Sequence, residues 1–379
     1  MTTPRDLLPQ WLVHHDRLPA SIDDSDPASN DSALAEKSSS LPIFAPPSHI
    51  TMVPWDDGFT PSGCSGKPGK IIRDQVRSTP NAFSFVDCAV SRETADLLYA
   101  SAVKARVWGV YVPTAELSFS DPSVACDKDT TAIADHSDEE AYQKALARRA
   151  VQELLVDKAS SVISSGDWRN THGVAVWVIA SDCNDETEYH LDYAEMVRYE
   201  TNVIVPPLYG ATLHVSPLCN EAANQDDEDQ ISDFEGGGFY VNVNGLEHYR
   251  QYGYKTRLAH KLSTDALEAV SKTEPGWRHV PYAYRRGIIC DGEFPHFSGR
   301  VRSLPVAADP VKRVIVGFNL FPPEIGAFVA KFPEHSNAFN KHIKVSQAAV
   351  KQTGGTGGAK QQAWSLASLK ANPKQAAFL

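Results

Sequence analysis

Tyr189-His190-Leu191-Asp192-Tyr193 is the stretch on which the reading of this chain turns. In an extended strand, residues i and i+2 project to the same side, so His190 and Asp192 can converge on one ion while Leu191 faces the opposite layer. The run Val174-Ala175-Val176-Trp177-Val178-Ile179-Ala180 leads toward them, and its β-branched residues predict a buried strand that serves as a rigid platform. A third donor comes from far along the chain. His296 ends Gly292-Glu293-Phe294-Pro295-His296, just after Arg286-Gly287-Ile288-Ile289-Cys290-Asp291-Gly292, which reads as a short apolar strand closed by a turn. Two imidazoles and one carboxylate occupy one face of an octahedral ion and leave the other face open, the arrangement that oxygen-activating Fe(II) needs. The same three side chains also suit zinc. A histidine near an aspartate is more often a hydrogen-bonded structural residue, so the motif takes its weight from its surroundings.

Those surroundings come in a definite order: Arg198-Tyr199-Glu200-Thr201, Gly236-Gly237-Gly238-Phe239-Tyr240, Arg286-Gly287 through Gly292, His296, and Lys312-Arg313-Val314-Ile315-Val316-Gly317-Phe318. From Tyr189 to about Phe321, roughly a third of the chain, this order resembles the core of the Fe(II)/2-oxoglutarate-dependent oxygenases, especially the prolyl-hydroxylase-like branch. In that branch His-x-Asp is followed by an Arg-x-x-Thr strand, a Gly-Gly turn, an Arg-Gly strand running to the distal His, and a basic residue opening the last core strand. The resemblance implies a mainly β fold with supporting α-helices and a double-stranded β-helix (jelly-roll or cupin-like) core. It also implies Fe(II) at His190, Asp192 and His296, with 2-oxoglutarate and O2 as co-substrates.

In the resembled family a basic residue pairs with the far carboxylate of 2-oxoglutarate. Arg313 is favoured because it opens an apolar run that can fix its planar fork at the inner wall of a barrel. It follows His296 by 17 residues, more than is usual in the family. Leu304-Pro305-Val306-Ala307-Ala308-Asp309-Pro310, with two prolines and an Asp-Pro turn signal, can hold the excess as a loop. Thr201 is placed with Arg313 at the co-substrate, and Arg302 and Arg300 compete for the same role. Arg198, Asn202, Tyr240 and Tyr193 are candidate substrate contacts, with His214, Asn242 and Tyr189 near the same mouth if strand alternation holds. Arg285 and Arg286 are adjacent, so one of them is expected to be solvated.

Composition bounds the rest. The 379 residues are 42% hydrophobic and 22% charged, an ordinary globular balance, with no apolar run of 18 residues to cross a membrane. The net charge of −11 and the lack of a basic stripe disfavour nucleic acid. Six scattered cysteines without Cys-x-x-Cys spacing read as reduced thiols, and Met1-Thr2-Thr3-Pro4-Arg5-Asp6 lacks a secretory pattern, so cytoplasmic residence is expected. The acidic run Asp226-Asp227-Glu228-Asp229 reads as a solvated loop, and the insert from Cys219 to Glu235 is a candidate cover for the entrance.

Along the chain, residues 1–80 are expected to be largely irregular, 81–345 to form the oxygenase domain, and 346–379 to be a flexible tail after Gly354-Gly355-Thr356-Gly357-Gly358. Phe83-Ser84-Phe85-Val86 alternates like a strand. Ser91 caps a helix through Leu97, Leu98 and Val103, and a second helical pattern runs from about Asp138 to Ser164. The reaction this implies is oxidation of an unactivated C–H bond, by hydroxylation, desaturation or ring closure, with release of succinate and CO2. A small polar metabolite, such as an amino acid, fits the candidate residues better than a lipid. The alternatives are a peptidyl (prolyl-type) hydroxylase, a zinc hydrolase on the same ligands, and a non-enzymatic β-helix binding module in which the histidines are structural.

Overall fold

The computed structural model describes residues 4–17, 45–56, 60–61, 64, 66–73, 79–119, 138–218, 234–252, 263–306 and 311–342. The acidic run 226–229, the glycine-rich segment 354–358 and the rest of the tail lie outside the described residues.

The long β-branched segments pair into one antiparallel sheet of six strands. Across it run Phe83–Val86, Gly287–Asp291, Tyr209–His214, Arg313–Phe321, Gly173–Ser181 and Val107–Pro113. Alternation sorts the central strand. Val314, Val316, Phe318 and Leu320 join Val174, Val176 and Val178 under a helical layer that contributes Leu98, Ala102, Leu146, Ala150 and Leu154. Arg313, Ile315, Gly317 and Asn319 therefore face the other way.

The helices of that layer begin where their caps predict. Ser91 Oγ accepts from the Thr94 backbone N–H at 3.2 Å and starts Arg92–Ala105, while Asp138 caps Glu139–Val151. Such a cap is worth about 1 kcal/mol. The second helix widens into a π-helical turn over Gln152–Lys158, and a separate short helix, Ser165–Arg169, follows.

A second antiparallel sheet orders Trp277–Val280, Phe239–Asn242 and His296–Ser298. Phe239 and Val241 on one sheet pack against Ile288 and Cys290 on the other. The second sheet is prolonged by one antiparallel bridge, between His190 and His296.

Two expectations need correction here. Arg198–Thr201 is not a strand: Glu195–Thr201 is a helix with Asn202 as its left-handed C-cap, φ 60°. Met196, Val197 and Thr201 bury at helical spacing, Glu195 sits in the first turn and Arg198 in the last, so local preference overrides the family pattern. The N-terminal stretch is also less irregular than expected. Leu8, Leu12 and Val13 pack with Val197, Val203 and Phe328, and Thr51–Pro54 and Lys70–Arg73 form a sheet with Val203–Ile204. Among the described residues no helix is long and apolar enough to cross a membrane.

Candidate metal centre

The bridge that extends the second sheet sets the histidines opposite one another. His190 N–H donates to the His296 carbonyl at 3.0 Å, and His296 N–H returns the bond at 2.8 Å. In such a doubly bonded pair the two Cα atoms stand about 5.5 Å apart with side chains on the same face. The imidazole centroids are accordingly 4.5 Å apart. Leu191 and Tyr189 go to the far side, where the Tyr189 hydroxyl meets His248 Nδ1 at 2.7 Å.

Asp192, two residues on, completes the set: the candidate ligand atoms of His190, Asp192 and His296 all lie within 4.8 Å of one another. Asp192 Oδ1 is 3.3 Å from His190 Nε2, and Oδ2 is 3.7 Å from His296 Nε2. The other nitrogen of each ring is committed to a backbone carbonyl two residues upstream. His190 Nδ1 donates to Glu188 O at 2.6 Å and His296 Nδ1 to Phe294 O at 3.0 Å. With its proton on Nδ1, each ring turns an Nε2 lone pair toward the shared centre.

Charge in the site is arranged to match. Burial alone would raise the Asp192 pKa, but His296, His190 and Asn319 outweigh it and hold it down at about 2. Burial pushes His296 down to about 4 against the pull of Asp192, whereas in His190 the bond and charge of Asp192 overcome burial and raise the pKa. Asn319, with its amide nitrogen turned toward the acceptors beside it, donates to Asp192 Oδ2 and to Phe318 O, both at 3.0 Å.

Arg313 lies on the same strand and face as Asn319 and is 1% exposed. Its Nη2 donates to Ser181 Oγ at 3.1 Å, while Nε and Nη1 have no hydrogen-bond partner among the described residues. Burial lowers its pKa, with Tyr282 and Asp185 opposing. The Tyr282 ring stacks on His214 at 4.1 Å, and the Tyr282 hydroxyl donates to Val314 O at 2.8 Å. The glycine turn makes room for the guanidinium: Gly237 has φ 64°, and a Cβ there would stand 3.0 Å from Arg313 Cδ and 2.8 Å from Phe234 Cζ.

The other arginine candidates are engaged at the surface. Arg302 pairs with Glu268 at 2.7 Å and Asp265 at 3.3 Å, and Arg300 with Glu186 at 3.1 Å. Arg286 makes a two-pronged pair with Asp87 at 2.6 and 3.1 Å, and Arg285 donates to Val90 O at 2.8 Å.

Three further candidates belong elsewhere. Thr201 Oγ1 donates to Val197 O at 2.7 Å and accepts from Val203 N–H at 3.2 Å, so its hydroxyl is spent on ending the helix. Asn202 donates to Lys67 O at 3.0 Å from its capping position. Tyr240 sits opposite Phe297, on which it stacks at 4.7 Å, whereas Val241 sits opposite His296; Tyr240 thus points away from the centre. Tyr193 and Arg198 do line the cavity beside His190 and Asp192, with the Arg198 guanidinium 5.3 Å from the Tyr193 ring centroid.

Sequence reasoning missed Asn319, although its even spacing from Arg313 on one strand was a usable signal. It also missed Glu334 and His335, which reach the same cavity from a segment with no periodic pattern.

No family model matches the sequence, and no curated protein matches it. Among solved structures the chain is similar to HygX from Streptomyces hygroscopicus with nickel and 2-oxoglutarate bound, at 11% identity over 64% of this chain and 83% of that one, with a TM-score of 0.35. It is also similar to AviO1 from Streptomyces viridochromogenes Tue57, at 15% identity over 65% and 93% with a TM-score of 0.33. A prolyl-4-hydroxylase from Pseudomonas putida is 11% identical over 64% and 86%, with a TM-score of 0.30. TM-scores this low leave the chemistry to be argued from the side chains.

Proposed function

We propose that this protein is a non-haem Fe(II)/2-oxoglutarate-dependent dioxygenase with a double-stranded β-helix core, oxidising an unactivated C–H bond of a small polar metabolite. One observation carries the reading. Two imidazole Nε2 atoms and a carboxylate come within 4.8 Å of one another, and the strand whose Asn319 donates to Asp192 holds on the same face a fully buried guanidinium with two nitrogens left for an anion. A buried cation is costly without a partner, so Arg313 fits a site built around a carboxylate ligand. The packing of the second sheet, extended by the His190–His296 bridge, against the six-stranded sheet supports the β-helix.

In this reading His190, Asp192 and His296 hold the metal and Asn319 fixes the orientation of Asp192. Arg313, braced by Ser181, receives the distal carboxylate of 2-oxoglutarate as a two-pronged pair. When bound, iron and 2-oxoglutarate would activate O2, the oxidant; one of its oxygen atoms would enter succinate as CO2 leaves, and the other would go to the substrate or to water. The chain supplies position and a dry wall around the reacting bond. The test is spectroscopic: anaerobic protein with Fe(II) and 2-oxoglutarate develops a weak visible charge-transfer band, and a folded protein that shows none would sink the proposal.

Metal binding also carries a pH signature. A metal needs the neutral imidazole, and in the metal-free protein His190 keeps its proton to a higher pH than an ordinary histidine. Affinity for Mn(II) therefore falls by about tenfold per pH unit below the His190 pKa, through one displaced proton, and levels off above it. His296 adds a second proton only near pH 4. Chelator-competition titrations across this range check the slope; a flat profile would contradict the assignment.

A further inference from the structure

The cavity beside the triad has a wall to which the proposed chemistry gives no task. It measures about 100 Å³; His190 and Asp192 form one side, and Glu334 and His335 enter from the other. The approach is built in, since a Cβ on Gly109 would run into the Glu334 carbonyl. The His335 side chain is 9% exposed, and its one polar neighbour among the described residues is the Glu334 carboxylate, 3.5 Å from Nε2. Burial pushes this imidazole down to about 4, so it stands in the cavity as a neutral ring with an acceptor nitrogen. Glu188 and Glu195 add two more carboxyl groups to the lining. A positive charge placed among these carboxyl groups is favoured over a neutral group of the same size. Trp177, Tyr193 and Tyr249 make up much of the remaining lining, in which Arg198 is the one Lys or Arg side chain.

We propose that this cavity takes a cationic group rich in N–H donors, a primary ammonium or a guanidinium, held between Glu334 and His335 beside the triad. An ammonium offers three donors, a guanidinium five, and neither accepts a hydrogen bond, which matches an acceptor-lined wall. The cavity has room for a charged end group of this kind. That this group belongs to the molecule being oxidised rests on the dioxygenase reading; the binding of the cation does not.

The experiment is calorimetric titration of the full, metal-free chain with 1,5-diaminopentane and with its neutral counterpart 1,5-pentanediol. The diamine is expected to bind at least about tenfold more tightly than the diol. Glu334→Gln should erase most of that preference while leaving diol binding and the circular dichroism spectrum unchanged, and Glu334→Asp should retain part of it. Equal binding of diamine and diol by the wild-type protein overturns the proposal without recourse to any variant, as does a natively folded Glu334→Gln protein with undiminished preference. The Fe(II)/2-oxoglutarate band, recorded on the same preparations, separates the two readings. A missing band with the diamine preference intact removes the iron assignment and leaves the cation site, whereas a band without the preference does the reverse.

Discussion

Asp192→Ala loses divalent-metal affinity by more than about a hundredfold, while the metal-free protein keeps its fold. Loss of an outer partner of a metal ligand already costs 10- to about 100-fold, and Asp192 is the sole anion of the triad. Without it the two histidines remain opposed across the backbone bridge, but nothing balances the charge of the ion. The fold survives because the carboxylate is also what raises the His190 pKa; once it is gone, burial keeps both rings neutral. Titration with Mn(II) or Fe(II), alongside circular dichroism of the metal-free variant, reads both halves of this expectation. Retained metal affinity in a folded Asp192→Ala protein would show that the three side chains do not share an ion.

Arg313→Met has two opposite effects. It weakens 2-oxoglutarate by at least about thirtyfold, the loss expected when one partner of a buried charged pair is removed. It also stabilises the ligand-free protein, by about 1–4 kcal/mol, because a buried guanidinium with unpaired Nε and Nη1 gives way to an apolar chain of similar length. Thermal unfolding without ligand and 2-oxoglutarate titration of the metal-loaded protein measure the two sides. Arg302→Ala is the comparison: its guanidinium is more than a third exposed and already paired with Glu268 and Asp265, so it changes 2-oxoglutarate binding little. A lower melting temperature in Arg313→Met would mean that the guanidinium is satisfied in the ligand-free protein. A large loss in Arg302→Ala would move the anchor.

What the sequence disclosed depended on whether a neighbour in space was needed to read it. His190 and Asp192 follow from the two-residue period of extended chain, and the 173–181 and 313–321 strands from apolar runs rich in β-branched residues. Ser91 announced its helix through capping chemistry alone. Tyr240 could not be placed in this way, because which face of its strand looks inward is set by its register with Phe297 and His296. The helix over 195–201 is legible in residues that favour one, whereas a strand there follows only from the resemblance and not from local propensity. Leu8, Leu12 and Val13 make an apolar patch too short to stand out from a polar terminus, and its partners, Val197 and Phe328, lie far away in sequence. Glu334 and His335 carried no signal of any kind, for a left-handed backbone at position 335 belongs to a loop and has no period.

The paired backbone bonds between residues 190 and 296 mean that the two imidazoles are aligned by the framework of the protein rather than by the ion. Assembly of the coordination site is thereby a folding event, completed when the second sheet closes. An incoming cation meets donors already aligned and spends little ordering them. A chelator is therefore expected to empty the proposed centre without unravelling its surroundings, and the same molecule to take up another metal, which a site created by metal-driven folding would not allow.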